Sequence, residues 1–312
     1  MQNPSARLAP RSSSPRLRTA ALIGAALLVA RSAFAYAVPI DINALHAWGS
    51  QGSGQGQFKF PSAIATRSGV IYVVDSYNNR VQEFDYNGTY LRSWPARAGD
   101  TFQQTTGIAV DQANGTVYIA SANSHRIFKY DSSGGYVTAW GSYGSGNGQF
   151  AQVSGVAVGT DGNIYTVDYI RGLVQVFNPQ GAYLRNWPVR GPTAIAASPD
   201  GSLYITAVGD NRILKYNLQG VLQDTWPVAA GIPKRIAVST DGNILLVTYE
   251  NNFRAQIFNS FGVPHALLLV TTLHNNKHTV EPIGVAFFSA KGAVVIENRG
   301  GVIPDVVKFS VP

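Results

Sequence analysis

The chain has 312 residues, 45% of them hydrophobic and 13% charged, with 32 glycines, 16 prolines and no cysteine. Such a composition excludes a disordered chain and a disulfide-stapled fold, and it suits a turn-rich, well-cored all-β protein. A formal charge of +7 and a pI near 9.6 suggest nucleic acid at first sight, but the first segment of the chain removes that suggestion.

Arg7, Arg11, Arg16 and Arg18 form a basic start, Ala20 to Ala30 an apolar stretch, and Ala33-Phe34-Ala35 a small-x-small cleavage pattern. The apolar run is well short of the roughly 20 residues that cross a bilayer. Residues 1–35 are therefore expected to be a signal peptide, with an uncleaved anchor as the alternative, and 36–312 a single exported domain, secreted or periplasmic. No two of these arginines are adjacent, which favours general secretion over the twin-arginine route. Five of the 24 basic residues and none of the acidic ones precede the cut, leaving 19 basic against 17 acidic residues, or +2. Nucleic acid is accordingly not an expected partner, no membrane span is expected after cleavage, and the exported chain is expected to be a monomer.

Beyond the signal, two aromatic series share one rhythm. Trp48, Trp94, Trp140, Trp187 and Trp226 are spaced 46, 46, 47 and 39 residues apart. Phe84, Tyr130, Phe177, Tyr216, Phe258 and Phe309 step by 46, 47, 39, 42 and 51. Between these markers each unit reads as four short strands separated by turns. The clearest unit runs Ser154-Gly-Val-Ala-Val, Ile164-Tyr-Thr-Val-Asp168, Leu173-Val-Gln-Val-Phe177 and Ala182-Tyr-Leu-Arg-Asn-Trp187. The turns carry Asn87-Gly88, Asn114-Gly115, Asp161-Gly162, Asp200-Gly201, Gln219-Gly220 and Asp241-Gly242, since glycine accepts the positive φ of tight hairpins. Four strands per period of 40 to 50 residues predict propeller blades, here six, centred on Tyr72, Tyr118, Tyr165, Tyr204, Leu245 and Val294. The sixth unit runs out after its third strand, Val306-Val-Lys-Phe309, whereas Leu45-His-Ala-Trp48 looks like a fourth strand with no blade before it. Pairing the two closes the ring and removes an exposed sheet edge.

Several motifs carry a family resemblance: Ile71-Tyr-Val-Val-Asp75, Asn78-Asn-Arg-Val-Gln-Glu-Phe-Asp85, Gly107-Ile-Ala-Val-Asp111, and Trp-Gly-Ser-x-Gly-Ser-Gly-x-Gly-Gln-Phe at 48–58 and again at 140–150. From about Leu45 onward the chain resembles NHL-repeat proteins, and the resemblance implies the propeller fold. Blades five and six depart most, with Leu245-Leu-Val-Thr in place of the tyrosine-led strand and Glu297 where blade one has Asp75. Some NHL-like propellers are peptidyl-hydroxyglycine lyases that use a metal and an arginine–tyrosine pair, and related six-bladed propellers are calcium lactonases. No motif of either enzyme is matched outside the structural repeat, so no catalytic residue is assigned.

The residues themselves offer three constellations. Asp75 and Arg80 flank a short hairpin loop and read as a blade-bracing pair. His274 and His278 form His-x-x-x-His in an inter-blade loop without helical pattern, and His125 lies on the same face, giving a possible zinc or calcium site under an enzymatic alternative. A calcium lactonase also needs convergent carboxylates, whereas the innermost strands, such as Ala63-Ile-Ala and Ala194-Ile-Ala-Ala, are small and apolar. Tyr77, His125, Tyr169, Arg171, Tyr249 and Arg299 fall on loops of one face, and aromatic and arginine groups on a rigid scaffold suit recognition of a protein, peptide or glycan. The expectation is a binding or scaffold module with no cofactor. The alternative is a metal-dependent lyase or hydrolase, lyase-like or lactonase-like, at the mouth of the central channel.

Overall fold

The computed structural model describes residues 39–40, 44–228, 231–249, 254–269, 280–289, 292–299 and 303–310. Within them the four-strand grammar becomes six antiparallel blades. Blade one comprises Pro61–Arg67, Val70–Asp75, Arg80–Asp85 and Tyr90–Pro95. Blades two, three and four follow the same order, blade five spans Ile232–Val238 to Pro264–Leu269, and the C-terminal strands of blade six are Val280–Ser289, Gly292–Arg299 and Ile303–Ser310.

The core lies between blades. Six clusters of buried side chains each bridge one pair of neighbouring blades, for example Val74, Trp94, Ile119 and Tyr130 between blades one and two, or Leu246, Ile236, Tyr204 and Trp226 between four and five. Strand alternation explains this: successive side chains point to opposite faces of a blade, and both faces are covered by neighbours, so second strands such as Val117–Ser121 are buried along their whole length.

The two aromatic series have distinct structural causes. Trp94, Trp140, Trp187 and Trp226 pair across the ladder with Val81, Ile127, Val174 and Ile213. Each tryptophan then reaches the next blade and covers the glycine of its third-to-fourth-strand turn. A Cβ built on Gly134 would lie 2.3 Å from the Trp94 ring, and one on Gly262 2.2 Å from Trp226. Those turns are held by an aspartate or asparagine: Asp85 Oδ1 accepts from the N–H groups of Asn87 and Thr89, and Asn178 Oδ1 from those of Gln180 and Ala182. Phe84, Tyr130, Phe177, Tyr216 and Phe258 mark a bulge where the third strand meets the fourth, and all five are buried.

Ring closure follows the same register. Ala44–Trp48 is the fourth strand of blade six, antiparallel to Ile303–Ser310, with Trp48 opposite Val306 and the bulge falling opposite Phe309 and Lys308. The Trp48 ring covers Gly88 of blade one, where a Cβ would come within 2.6 Å. The sequence did not announce a second contact: Pro39–Ile40 adds a short parallel strand to blade five, pairing with Leu267 and Leu268. The N-terminal segment therefore seals two consecutive blades.

Tyr72, Tyr118, Tyr165 and Tyr204 occupy one position in the second strands of blades one to four, all buried. Burial pushes the phenols of Tyr118 and Tyr130 up to about 12 from the ordinary 10.0, and it raises Tyr72, Tyr165, Tyr204 and Tyr216 in the same direction. The unfolded chain thus loses its phenolic protons first as the solution turns alkaline. Stability is expected to be unaffected by these groups below the ordinary value of 10 and to fall progressively from there towards about 12. Denaturant midpoints measured beside the phenolate absorbance check this, and midpoints flat across that window overturn it.

Candidate functional site

Cross-strand register divides the ring into two faces. Pro61 lies opposite Asp75 and Arg67 opposite Val70, so blade connectors and second-to-third-strand loops share one face, and first-to-second-strand hairpins form the other.

On the connector face the polar groups are tied into a repeated brace. The fully buried Asp75 carboxylate accepts from Lys59 N (2.7 Å), Asn78 Nδ2 (2.8 Å), Arg80 Nε (2.8 Å) and Gln82 Nε2 (3.2 Å). Arg80 also donates to the carbonyls of Gly54 and Gln57, and Gln82 both accepts from Gly56 N and donates to Gln57 O. This is the bracing pair read from the sequence, extended to the glycine-rich connector 48–58. Blade three repeats it around Asp168, which accepts from Ala151 N, Gln152 N and Arg171 N. There Leu173 stands at the position of Arg80, and Arg171, two residues earlier, supplies the guanidinium instead, donating to the carbonyls of Ser145, Gly146 and Gln149. The two Gly-rich motifs are thus connectors clamped by arginine and glutamine.

The residues singled out from the sequence are placed as follows. Tyr77, Tyr169 and Tyr249 lie on the connector face, 51%, 44% and 49% exposed, on blades one, three and five. Arg171 shares the face, with its guanidinium bonded to the connector. His125 precedes the third strand of blade two with φ of 53°, the corner that Asn79, Gly172 and Asn211 take in blades one, three and four. Its ring packs edge-on to Tyr143 at 5.0 Å. Arg299 ends the second strand of blade six, and its side chain lies outside the described residues, as do His274 and His278 entirely.

Sequence reasoning passed over Phe60, Tyr143, Ile170 and Ile232, which are 45%, 73%, 66% and 43% exposed on the same face. Nothing in the repeat pattern distinguished them, because hydrophobic residues beside a strand read as core. Phe60 packs on Tyr77 with ring centroids 4.7 Å apart. Lys234 Nζ lies 5.7 Å above the Tyr249 ring.

The hairpin face opens into a central cavity of about 790 Å³. Its walls are the second halves of the first strands and the hairpins that follow, with hydroxyls from Thr66, Thr160, Ser198, Ser239 and Ser289. Asp111 is the acidic residue among its described lining, and its oxygens accept from Ala113 N and Asn114 Nδ2. Towards the connector face the first strands converge. A Cβ on Gly107 would stand 3.2 Å from Val156 N, and one on Gly155 3.2 Å from Ile195 N, which is why this position is Ala63, Gly107, Gly155, Ala194 and Gly284 in five blades. Beside it Thr106, Ser154 and Thr193 donate to carbonyls of the next blade, Val153, Pro192 and Pro233, at 2.9, 2.9 and 3.0 Å. In blade five the small-residue position itself is Arg235, opposite Val247, and its Nε donates to Ile283 O of the next blade at 3.0 Å.

Zinc or calcium needs several convergent donors. Among the described residues no group of three or more His, Asp or Glu side chains is placed to hold a metal ion, and the buried acids Asp75 and Asp168 spend their oxygens on the connectors.

Comparison with known proteins agrees with the architecture. Residues 58–84, most of blade one, match the NHL repeat family, and residues 97–209 match the SMP-30/gluconolactonase/LRE-like region. No curated protein matches the chain. Among solved structures, a streptogramin B lyase superposes with a TM-score of 0.59 at 15% identity, covering 80% of this chain and 93% of its own. Virginiamycin B lyase from Staphylococcus aureus gives 0.60 at 11% identity, covering 86% and 99%. A catalytically inactive variant of that lyase with quinupristin gives 0.60 at 12%, covering 88% and 98%. At these identities the likeness is one of fold. With one NHL repeat matched in its first blade and the same four-strand plan carried through the remaining five, the chain is a six-bladed β-propeller.

Proposed function

We propose that the protein is an exported, non-catalytic binding or scaffold propeller that holds a protein, peptide or glycan on its connector face. One observation carries the reading: Phe60, Tyr77, Tyr143, Tyr169, Ile170, Ile232 and Tyr249 are all exposed there, on a frame braced by the internally bonded carboxylates of Asp75 and Asp168. Large rings presented on rigid loops are what binding surfaces use as anchors. A photo-crosslinking amino acid placed at Tyr169 or Tyr249 is expected to give adducts in the producing cell, and the same group at Leu91 or Leu184 on the outer strands none. Equal yields from both sets of positions would count against the reading.

The second reading, a metal-dependent lyase or hydrolase, draws on the lyases among the structural neighbours and on the central cavity. Stoichiometric zinc or calcium retained through dialysis and lost in His274→Ala would favour it over the first.

A further inference from the structure

We infer that Phe60 and Tyr77 form an anchoring shelf for an apolar or aromatic side chain of an acidic peptide segment; this rests on the binding reading above and names the ligand class. Phe60 has a φ of 51°, a conformation that L-residues avoid and that is an outlier for a bulky side chain. The fold does not require phenylalanine at this corner. The same position ahead of the first strand is Gln104 in blade two, with φ of 54°, and Gly191 in blade four, with φ of 59°. Blade one thus places a large ring at a corner that glycine serves elsewhere, and that ring is not in the core: it is 45% exposed, tilted by 43° on a Tyr77 that is itself 51% exposed. Strain kept where packing does not demand it is characteristic of functional positions.

The surroundings select the ligand. A glycan is held chiefly by directional hydrogen bonds, and Asn78 and Arg80 beside the shelf are already engaged: Asn78 Nδ2 donates to Gly52 O and Asp75, and Arg80 to Asp75 and the connector carbonyls. What the face offers instead is ring and aliphatic surface, with Ile170 and Ile232 further round the ring, which rewards burial of apolar side chains. Charge complementarity adds the acidic character. Exposed Lys59, Arg126 and Lys234 stand beside Phe60, His125 and Tyr249, whereas Asp75 and Asp168 are fully buried and Asp210 is paired with Arg190 at 3.4 Å.

The experiment is selection of a phage-displayed random peptide library on the purified protein, followed by fluorescence anisotropy with the selected peptides made synthetically. The inference expects a consensus with an aromatic or large aliphatic residue flanked by Asp or Glu, and binding that weakens with added salt. Phe60→Asn, which keeps a residue tolerant of positive φ, is expected to weaken that binding about tenfold or more while leaving the melting temperature unchanged or higher. Gln104→Asn at the equivalent corner is expected to change neither. If Phe60→Asn lowers the melting temperature and leaves affinity intact, the ring is structural and the inference fails. A peptide lost with Tyr249→Ala but not with Phe60→Asn also overturns it, with the binding reading left standing. Binding on a glycan array abolished by Phe60→Asn overturns the peptide class alone, and no binding by any probe or position removes the binding reading itself.

Discussion

Deletion of Tyr36 to Gly49 is expected to leave a chain that no longer folds to a soluble monomer. The deletion removes the fourth strand of blade six and the short fifth strand of blade five at once, so it bares the edge of Ile303–Ser310 and that of Pro264–Leu269. It also withdraws the Trp48 ring from Gly88 and from Phe84, whose ring centroid lies 6.0 Å away. Unpaired edges recruit other chains, so aggregation is the expected outcome. Trp48→Ala separates the two contributions. It keeps both strands and loses only the ring, and because Trp48 is half-buried its cost should lie at or below the low end of the roughly 3–5 kcal/mol for a buried tryptophan. Size-exclusion chromatography and denaturant unfolding read both variants. A deletion variant that elutes as a monomer with unchanged melting would show that the segment is a linker.

Gly134→Ala is expected to destabilise the protein by about 2–5 kcal/mol, far more than an alanine usually does in a turn. Two costs combine. The backbone at Gly134 has φ of 84°, where an L-residue costs roughly 1–2 kcal/mol, and the new methyl would fall 2.3 Å from the Trp94 ring, an overpacking that typically costs about 1–3 kcal/mol. Trp94 cannot yield easily: it is buried, packed against Tyr130 with ring centroids 4.7 Å apart and planes tilted by 36°, and its indole N–H donates to Glu83 at 2.9 Å. Gly162→Ala is the control, since its φ of 75° carries the backbone cost but nothing lies within 4 Å of the added methyl. Equal losses in the two variants would mean that the tryptophan contact contributes nothing.

The fold was legible because the features that build it recur. A tryptophan every 39 to 47 residues reflects one contact made at successive junctions, and the Asx-Gly turns and the four-strand period recur with the blades, so repetition raised them above noise. Ring closure by Leu45 to Trp48 was legible for the same reason, as an unmatched fourth strand. The candidate site was less so, because it depends on what repetition does not show. Arg171 reads as a free loop arginine, yet it replaces Arg80 in the brace from a position two residues out of register. His125 reads as a potential ligand and stands at a positive-φ corner. Phe60 is invisible because a φ above zero at a bulky residue leaves no mark in a hydrophobicity pattern. The cavity lies on the hairpin face because the first strands converge at the other end, a consequence of Gly107 and Gly155 that composition describes only as small and apolar.

The handshake between each tryptophan and the next blade's glycine has one further meaning. The junction between blade six and blade one, Trp48 on Gly88, is of the same kind as Trp94 on Gly134 or Trp226 on Gly262, although the strand carrying Trp48 comes from the opposite end of the chain to the rest of its blade. The junction without this contact is that of blades five and six, where Leu268 holds the tryptophan's register opposite Ala255; it is on this strand that Ile40 of the N-terminal segment pairs, so the ring has a seam and the segment that completes blade six adds its extra strand there.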